Sequence, residues 1–511
     1  MNKIIQELPQ KGLVKSVLFW WIEKRIKEIE KFSFLAAEIQ ENQRIRLIEF
    51  AKETEYGKKH HFSQIKSYSD FTKQIPIVTY EEFEPYIQLC LQGETNIIWP
   101  KKINWFAKSS GTTNAKSKFI PITTESLDYC HYKGGKDMFA LYANNYPDTK
   151  IFDCLNLRLG GSAEINDLHN YSVGDLSAIL IQNLPFWAEI KNIPNKKTSL
   201  IASFEEKLPA IINEVLHQNV GSFTGVPSWM YVLLSKVLEA SNKKHLDELW
   251  QNVEVFFHGG ISFSPYKESY NQLFSKPINY SEIYNASEGF FALQDTKANE
   301  NGLLLMLDYG IFYEFIPMDN FKLENAIPLW EVELNKNYAM VITTNGGLWR
   351  YLIGDTVKFV SKNPYRIIIS GRTQLFINVF GEELMIDNTD KAIKIASEKT
   401  HAVVLDYTVA PKFMEKNQNG THEWLIEFEK KPENLNQFIE ILDQTLKSIN
   451  SDYEAKRLNN ITLGVPIVHL ARKNLFYDWL KSKNKLGGQN KVPRLSNERK
   501  YLDELLEINT I

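Results

Sequence analysis

The segment Lys108-Ser109-Ser110-Gly111-Thr112-Thr113-Asn114-Ala115-Lys116-Ser117-Lys118 sets hydroxyls, a glycine and lysines between two apolar runs. Those runs, 103–107 and 119–122, read as strands. A turn of this composition can aim backbone N–H groups, hydroxyls and ammonium groups at a chain of phosphates. No Gly-Lys-Ser/Thr triplet closes it, so it is not a Walker A loop. Alone, it reads equally as a solvated Ser/Thr hairpin. Four later stretches bear on the choice. Gly259-Gly260 leaves an apolar strand at 253–257, where a larger side chain would block close approach of a flat ligand. Tyr284-Asn285-Ala286-Ser287-Glu288-Gly289 puts a carboxylate at a strand end, where it can hold Mg²⁺ against phosphate oxygens. Tyr351-Leu352-Ile353-Gly354-Asp355 puts an aspartate after glycine, and its two acceptor oxygens can take both hydroxyls of a ribose. Last comes a basic, loop-like stretch from Lys483 to Arg494 that contains Lys485 and Lys491. Taken singly, these are a tight turn, a surface Ser-Glu, a Gly-Asp turn and a solvated basic loop. No Ser-His-Asp set or Gly-x-Ser-x-Gly elbow competes for a covalent role.

The elements that must position these residues are legible in outline. A chain of 511 residues exceeds what one core usually holds, so two or more domains are expected. Apolar residues at three- and four-residue steps (Val14, Leu18, Trp21 or Ile22, Ile26, Ile29, then Ile39, Leu47, Ile48, Ala51) predict two helices over 13–52. Ser69 and Thr79 are N-cap candidates, and Thr123-Thr124-Glu125 is another. From 151 to 234 apolar runs alternate with helical stretches, with strand and strand-exit candidates at 179–181 and 221–227, and a short apolar strand follows at 253–257. This alternation argues for an α/β fold with a largely parallel sheet, whose ligands sit beyond the carboxyl ends of the strands. Leu157, Val226, Trp229, Met230 and Tyr231 read as core or as the wall of an apolar pocket. Strands expected at 303–307, 313–316, 330–334, 338–343, 357–360 and 366–369 are closely spaced, which predicts antiparallel hairpins and a small barrel-like subdomain. A compact α+β lid follows, with helices near 387–399 and 435–448 and strands at 403–409, 423–428 and 461–468. The expected domains are 1–376 and 377–511, with a hinge near 372–382.

Composition removes several classes. A formal net charge of -3 gives no reason to expect a nucleic acid as partner. Cys90, Cys130 and Cys154 form neither a disulfide framework nor a zinc motif, and a reducing cytoplasm fits them best. No apolar run approaches the ~18 residues that span a bilayer. The run at 17–22 is flanked by Lys15 and by Glu23-Lys24-Arg25 and lacks a cleavage site, so it reads as a packing helix, with an interfacial helix as the alternative. A monomer is consistent with the sequence.

The order Ser-Ser-Gly-Thr, Gly-Gly, Tyr-x-x-Ser-Glu, Tyr-x-x-Gly-Asp and a small C-terminal lid resembles the adenylate-forming superfamily. Within it, the chain is similar to the plant auxin- and jasmonate-conjugating acyl acid amido synthetases and their bacterial relatives. The resemblance runs from Thr54-Glu55-Tyr56-Gly57 to Pro493-Arg494. It implies a large N-terminal adenylate-forming domain with mixed and parallel sheets and a small α+β lid. It also implies the reaction: a carboxylic acid and ATP give acyl-AMP and pyrophosphate, and an amine, expected to be that of an amino acid, takes the acyl group. By the same resemblance Ser109, Ser110, Thr112, Thr113 and Lys118 hold the phosphates, Glu288 the metal and Asp355 the ribose. Gly111, Gly259, Gly260, Tyr284 and Ser287 complete the nucleotide site, and Lys491 (or Lys485) is the lid lysine. The catalytic set is then Lys491, Lys118 and Glu288, with ATP and Mg²⁺ as cofactors. The chain departs from the family pattern twice. Asn114-Ala115 stands where the loop usually has glycine, although asparagine tolerates the left-handed region. Leu352 stands where the family has arginine, with Arg350 two residues earlier. Two rival readings remain: a ligase ending in a coenzyme A thioester, and a catalytically silent nucleotide-binding relative.

Overall fold

The computed structural model describes residues 13–110, 117–160, 165–167, 170–201, 204–263, 266–297, 301–373, 376–414, 419–458, 462–483 and 492–509. The chain divides into two compact units. The first comprises Met1–Asn104, Pro121–Phe152 and Ser281–Gly371; the second comprises Trp105–Ile120, Asp153–Tyr280 and Arg372–Ile511.

In chain order the strands begin with β1 (Trp105–Ser110), β2 (Ser117–Ile122), β3 (Leu155–Arg158), β4 (Ile165–Asp167) and β5 (Ser172–Gly174). They continue with β6 (Asn192–Ile193), β7 (Val220–Gly225), β8 (Val255–His258), β9 (Asn279–Ala286), β10 (Gly289–Leu293) and β11 (Leu303–Leu305). Next come β12 (Ile311–Pro317), β13 (Ile327–Pro328), β14 (Asn337–Thr344), β15 (Tyr351–Lys362) and β16 (Tyr365–Arg372). The last are β17 (Phe376–Ile377), β18 (Leu384–Met385), β19 (Val403–Lys412), β20 (Thr421–Lys430) and β21 (Ile467–Leu470).

The first unit opens with the two helices expected from periodicity, Leu13–Glu30 and Phe32–Ala51. On the first of them Leu18, Trp21, Ile22 and Ile26 pack against Ala140, Ala143 and Phe152, while Val17 and Trp20 face outward. Among the described residues no helix is long and apolar enough to cross a membrane. Two caps are as expected. The Glu82 carboxylate accepts from the Thr79 N–H at 2.8 Å, and the Thr123 hydroxyl accepts from the Ser126 N–H at 3.0 Å. Ser69 is not a cap; Ser67 is, in a reciprocal box with Asp70 at the start of the helix Tyr68–Gln74. The strands of this unit lie in the order β13-β12-β14-β15-β16-β11-β10-β9. Their pairings are antiparallel as expected, but they form an open sheet, so the barrel-like subdomain expected at 303–372 is not closed among the described strands. Pro328, in the edge strand β13, lacks the N–H that would continue the ladder. Of the strand expected at 330–334, Trp330 and Glu331 lie instead in a 3₁₀ turn, Leu329–Glu331.

The second unit carries the parallel sheet, in the order β8-β7-β3-β6. Leu157 and Met230 are core, buried with Phe223, Phe256 and Trp250, and Val226, Trp229 and Tyr231 pack on that core half-buried. Residues 179–181 are not a strand but part of the helix Leu176–Gln182. Three apolar residues carry no period, and Asp175 at the N-cap position was the better signal. In the C-terminal region β19-β20-β21 form a sheet with Trp424, Ile426, Phe438 and Leu446 buried on one face. Leu425 faces the other way, buried with Leu475, Trp479, Leu502 and Leu505. The helices Ile386–Thr400 and Leu435–Ile449 are as expected, while the last strand lies at Ile467–Leu470 rather than 461–468.

Candidate functional site

In the first unit the motif residues stand on two hairpins. β9 and β10 pair antiparallel, Ala286 opposite Gly289, so Ser287 and Glu288 form the two-residue turn and are half-buried. A Cβ on Gly289 would lie 2.8 Å from Ile311 Cδ1 and 3.1 Å from the Phe291 ring, so a larger residue directly after the glutamate would have to displace these side chains.

Asp355 is presented by an irregularity. Ala339 pairs with Thr356 and Val341 with Leu352, so β15 carries two more residues than β14 over this stretch. Gly354 lies within it at φ +89°, a conformation that costs glycine little and other residues more. Bulges of this kind re-aim side chains and occur next to active sites. The half-buried Asp355 accepts a hydrogen bond from the Tyr284 hydroxyl, Oη to Oδ2 at 2.6 Å. Tyr284 is 6% exposed, its ring 4.9 Å from that of Phe291. The structure thus brings together two of the sequence-derived site residues that lie 71 positions apart.

Arg350 does not stand in for the arginine missing at Leu352. It is buried, at φ +42°, where β15 begins. Its guanidinium holds the buried Glu314 bidentately, Nε to Oε2 at 2.9 Å and Nη2 to Oε1 at 2.8 Å. Nη1 donates to the carbonyls of Thr72 and Ile75, and Tyr68 donates to Glu314 at 2.8 Å. The backbone is held as well: the Arg350 N–H donates to Thr343 Oγ1, and its carbonyl accepts from Val78. This is the fixed base of the strand that carries Asp355.

In the second unit β1 ends at Ser110, with Ser109 half-buried, and β1 lies between β2 and β5. Half-buried Lys118 follows on β2. Gly111, Thr112 and Thr113, with Asn114 and Ala115, lie outside the described residues, as do Lys485 and Lys491. Gly259-Gly260 follows the carboxyl end of β8. Space does not demand glycine at 260, since a Cβ would meet only Val226 Cγ2 at 3.5 Å; its φ of +82° does. His258, just before, is buried and stacked 4.2 Å from Phe263, and burial pushes its imidazole down to about 3. It is therefore neutral near pH 7 and not a general acid.

The segment 378–383 is bonded on several sides. Tyr266 Oη donates to the Val379 carbonyl at 2.8 Å, Ser228 Oγ to that of Phe380 at 3.2 Å, and Asn378 Nδ2 to that of Gly260 at 3.1 Å. Buried Glu382 accepts from the Phe380 N–H at 2.7 Å and meets His422 Nε2 at 2.8 Å. Sequence reading missed Tyr266, Asn378 and Glu382. Tyr266 and Asn378 bond backbone carbonyls more than a hundred residues away and Glu382 pairs with His422, 40 residues on, and no local pattern marks such pairs.

Comparison with known proteins defines the class. By fold, a solved GH3.15 acyl acid amido synthetase superposes with a TM-score of 0.60 at 18% identity, covering 95% of this chain and 96% of that one. A solved 2-hydroxyisobutyryl-CoA ligase superposes at 0.57 with 13% identity, covering 92% of each chain. The fold is that of adenylate-forming ligases. The chain belongs to the GH3 family: the N-terminal domain model matches residues 25–278, the central one 304–372 and the C-terminal one 387–500. Among curated relatives, jasmonoyl–L-amino acid synthetase JAR6 of Nicotiana attenuata is 23% identical over 96% of both chains. The 4-substituted benzoates-glutamate ligase GH3.12 of Arabidopsis thaliana is 22% identical, over 94% of this chain and 96% of its own.

Proposed function

We propose that this protein is an ATP-dependent acyl acid amido synthetase: it activates a carboxylic acid as acyl-AMP and passes the acyl group to the amine of an amino acid. The observation that carries the reading is Asp355, turned out of β15 by the Gly354 bulge and held by Tyr284, in a chain matched along nearly its whole length by a jasmonoyl–amino acid synthetase.

A carboxylate is a poor electrophile because its leaving group would be oxide. In the first step its oxygen attacks the α-phosphorus of ATP, and the bond to the bridging oxygen of pyrophosphate breaks. In the second the amine nitrogen attacks the acyl carbon, loses a proton, and AMP departs. Asp355 accepts from the ribose hydroxyls and so fixes the nucleotide against the acid. The hydroxyls of Ser109, Ser110, Thr112 and Thr113 and the ammonium of Lys118 donate to the phosphates, where charge builds as pyrophosphate leaves. The half-buried Glu288 carboxylate at the 287–288 turn suits Mg²⁺, which is commonly held by one or two carboxylates together with substrate phosphates and water. When bound, the ion neutralises charge on the phosphate oxygens. Residues 377–511 are the lid, turning about a hinge within 372–382.

With its acid, the protein is expected to convert ATP to AMP and pyrophosphate. ADP and orthophosphate as products would overturn the reading. An acid screen for pyrophosphate release, then a screen of amino acids against coenzyme A, separates amide from thioester formation. The relatives named as amino acid synthetases favour the amide. A catalytically silent protein would bind ATP and release no pyrophosphate with any acid.

Asp355→Ala is expected to weaken ATP binding by roughly 1.5–3 kcal/mol for each charge-assisted hydrogen bond lost. The melting temperature should fall only modestly: Asp355 is half-buried, but the buried Tyr284 hydroxyl loses this acceptor. A lowered melting temperature with unchanged affinity would make the Gly-Asp a structural turn.

A further inference from the structure

The bond between Tyr284 and Asp355 has a use beyond packing. An aspartate's terminal torsion is broad, so an unrestrained carboxylate rotates and presents its acceptor sites in many directions. A ribose recognised through two neighbouring hydroxyls needs one orientation. Tyr284 can impose it. Its hydroxyl lies 2.6 Å from Asp355 Oδ2, within the short range of a hydrogen bond to an ionised oxygen. The tyrosine is itself immobile: it is 6% exposed, its ring packs on Phe291 at 4.9 Å, and its hydroxyl lies 3.7 Å from Met340 Sδ. Met340 sits between Ala339 and Val341, the β14 residues that flank the bulge. One carboxylate oxygen is thus tied to a rigid strand, and the bulge sets the backbone from which it hangs.

We infer that Tyr284 is a positioning residue for the ribose: its hydroxyl holds Asp355 in the rotation that accepts from both sugar hydroxyls. This rests on the assignment of Asp355 to the ribose. It differs from a role in which the tyrosine acts only through its ring, because it depends on one oxygen atom.

Tyr284→Phe removes that oxygen and keeps the ring. Binding of ATP and of 2′,3′-dideoxy-ATP, which lacks both ribose hydroxyls, is measured by calorimetry on the full chain. Tyr284→Phe is expected to weaken ATP binding roughly tenfold, the scale of one hydrogen bond to a charged group. Binding of the dideoxy nucleotide should stay the same, and so should the melting temperature. In an Asp355→Ala background the same change should have no further effect on ATP. Equal weakening of both nucleotides, or no weakening of either, overturns the inference and leaves Tyr284 a packing residue. If Asp355→Ala alone weakens both nucleotides equally, the ribose assignment fails, and the positioning role fails with it. That outcome is read from the aspartate variant without reference to Tyr284.

Discussion

Arg350→Met is expected to destabilise the first unit by about 3–5 kcal/mol, the usual cost of stripping the partner from a buried charge. Glu314 is 1% exposed, and both its oxygens are engaged by Arg350. The Tyr68 hydroxyl remains as a donor, but a neutral phenol does not balance a carboxylate, and burial together with Glu314 already drives its own ionisation far above the usual range. Folded domains hold only about 5–15 kcal/mol in total, so a loss of this size should be plain in a melt. The companion variant decides the cause. Replacing both members of a buried pair by apolar residues of similar volume is often neutral or stabilising. Arg350→Met with Glu314→Met should therefore recover most of the lost stability. Were Arg350 instead a nucleotide ligand standing in for Leu352, the single variant would melt normally and bind ATP weakly, and the double variant would recover nothing.

This pair also shows where reading the sequence stops. The strand and turn positions of Tyr284, Glu288 and Asp355 were legible because each sits in a short motif with a glycine, at the start of β10 for Gly289 and at positive φ for Gly354. The helices at 13–51 and 435–449 were legible because an apolar stripe at 3.6-residue period needs no knowledge of the partner. Arg350 was misleading because position alone put it near the motif, while its function is set by Glu314, 36 residues away. Ile179–Ile181 failed for a related reason: a three-residue apolar run has no measurable period, so only the residue before the helix could have settled it. The barrel expected at 303–372 was an inference from strand spacing, and spacing does not say whether edges meet. The contacts of Tyr266, Asn378 and Glu382 join residues that only the folded chain brings together.

Lys491→Ala should slow formation of acyl-AMP by a factor on the order of a hundred, if it acts like other preorganised electrostatic donors. Lys491 and Lys485 lie outside the described residues, but the chain just beyond them is fixed. Thr408 Oγ1 donates to the Pro493 carbonyl at 2.7 Å, the Val409 N–H to that of Arg494 at 2.9 Å, and the Ser496 N–H to that of Val409 at 3.1 Å. Arg494 pairs with Asp390 at 2.8 Å, and its guanidinium lies over the Tyr407 ring at 5.2 Å. The Lys491 charge matters while pyrophosphate leaves, because negative charge builds there in the transition state and is absent once acyl-AMP alone remains. The two half-reactions should therefore respond differently. Adenylation, followed by pyrophosphate release, should drop; amide formation from supplied acyl-AMP should stay near normal, since no pyrophosphate leaves in that step. Lys485→Ala is the control on the same stretch, and the lysine whose loss carries the effect is the lid lysine. If both variants form acyl-AMP at the normal rate, the basic stretch is a solvated surface and the assignment of a lid lysine to it is wrong.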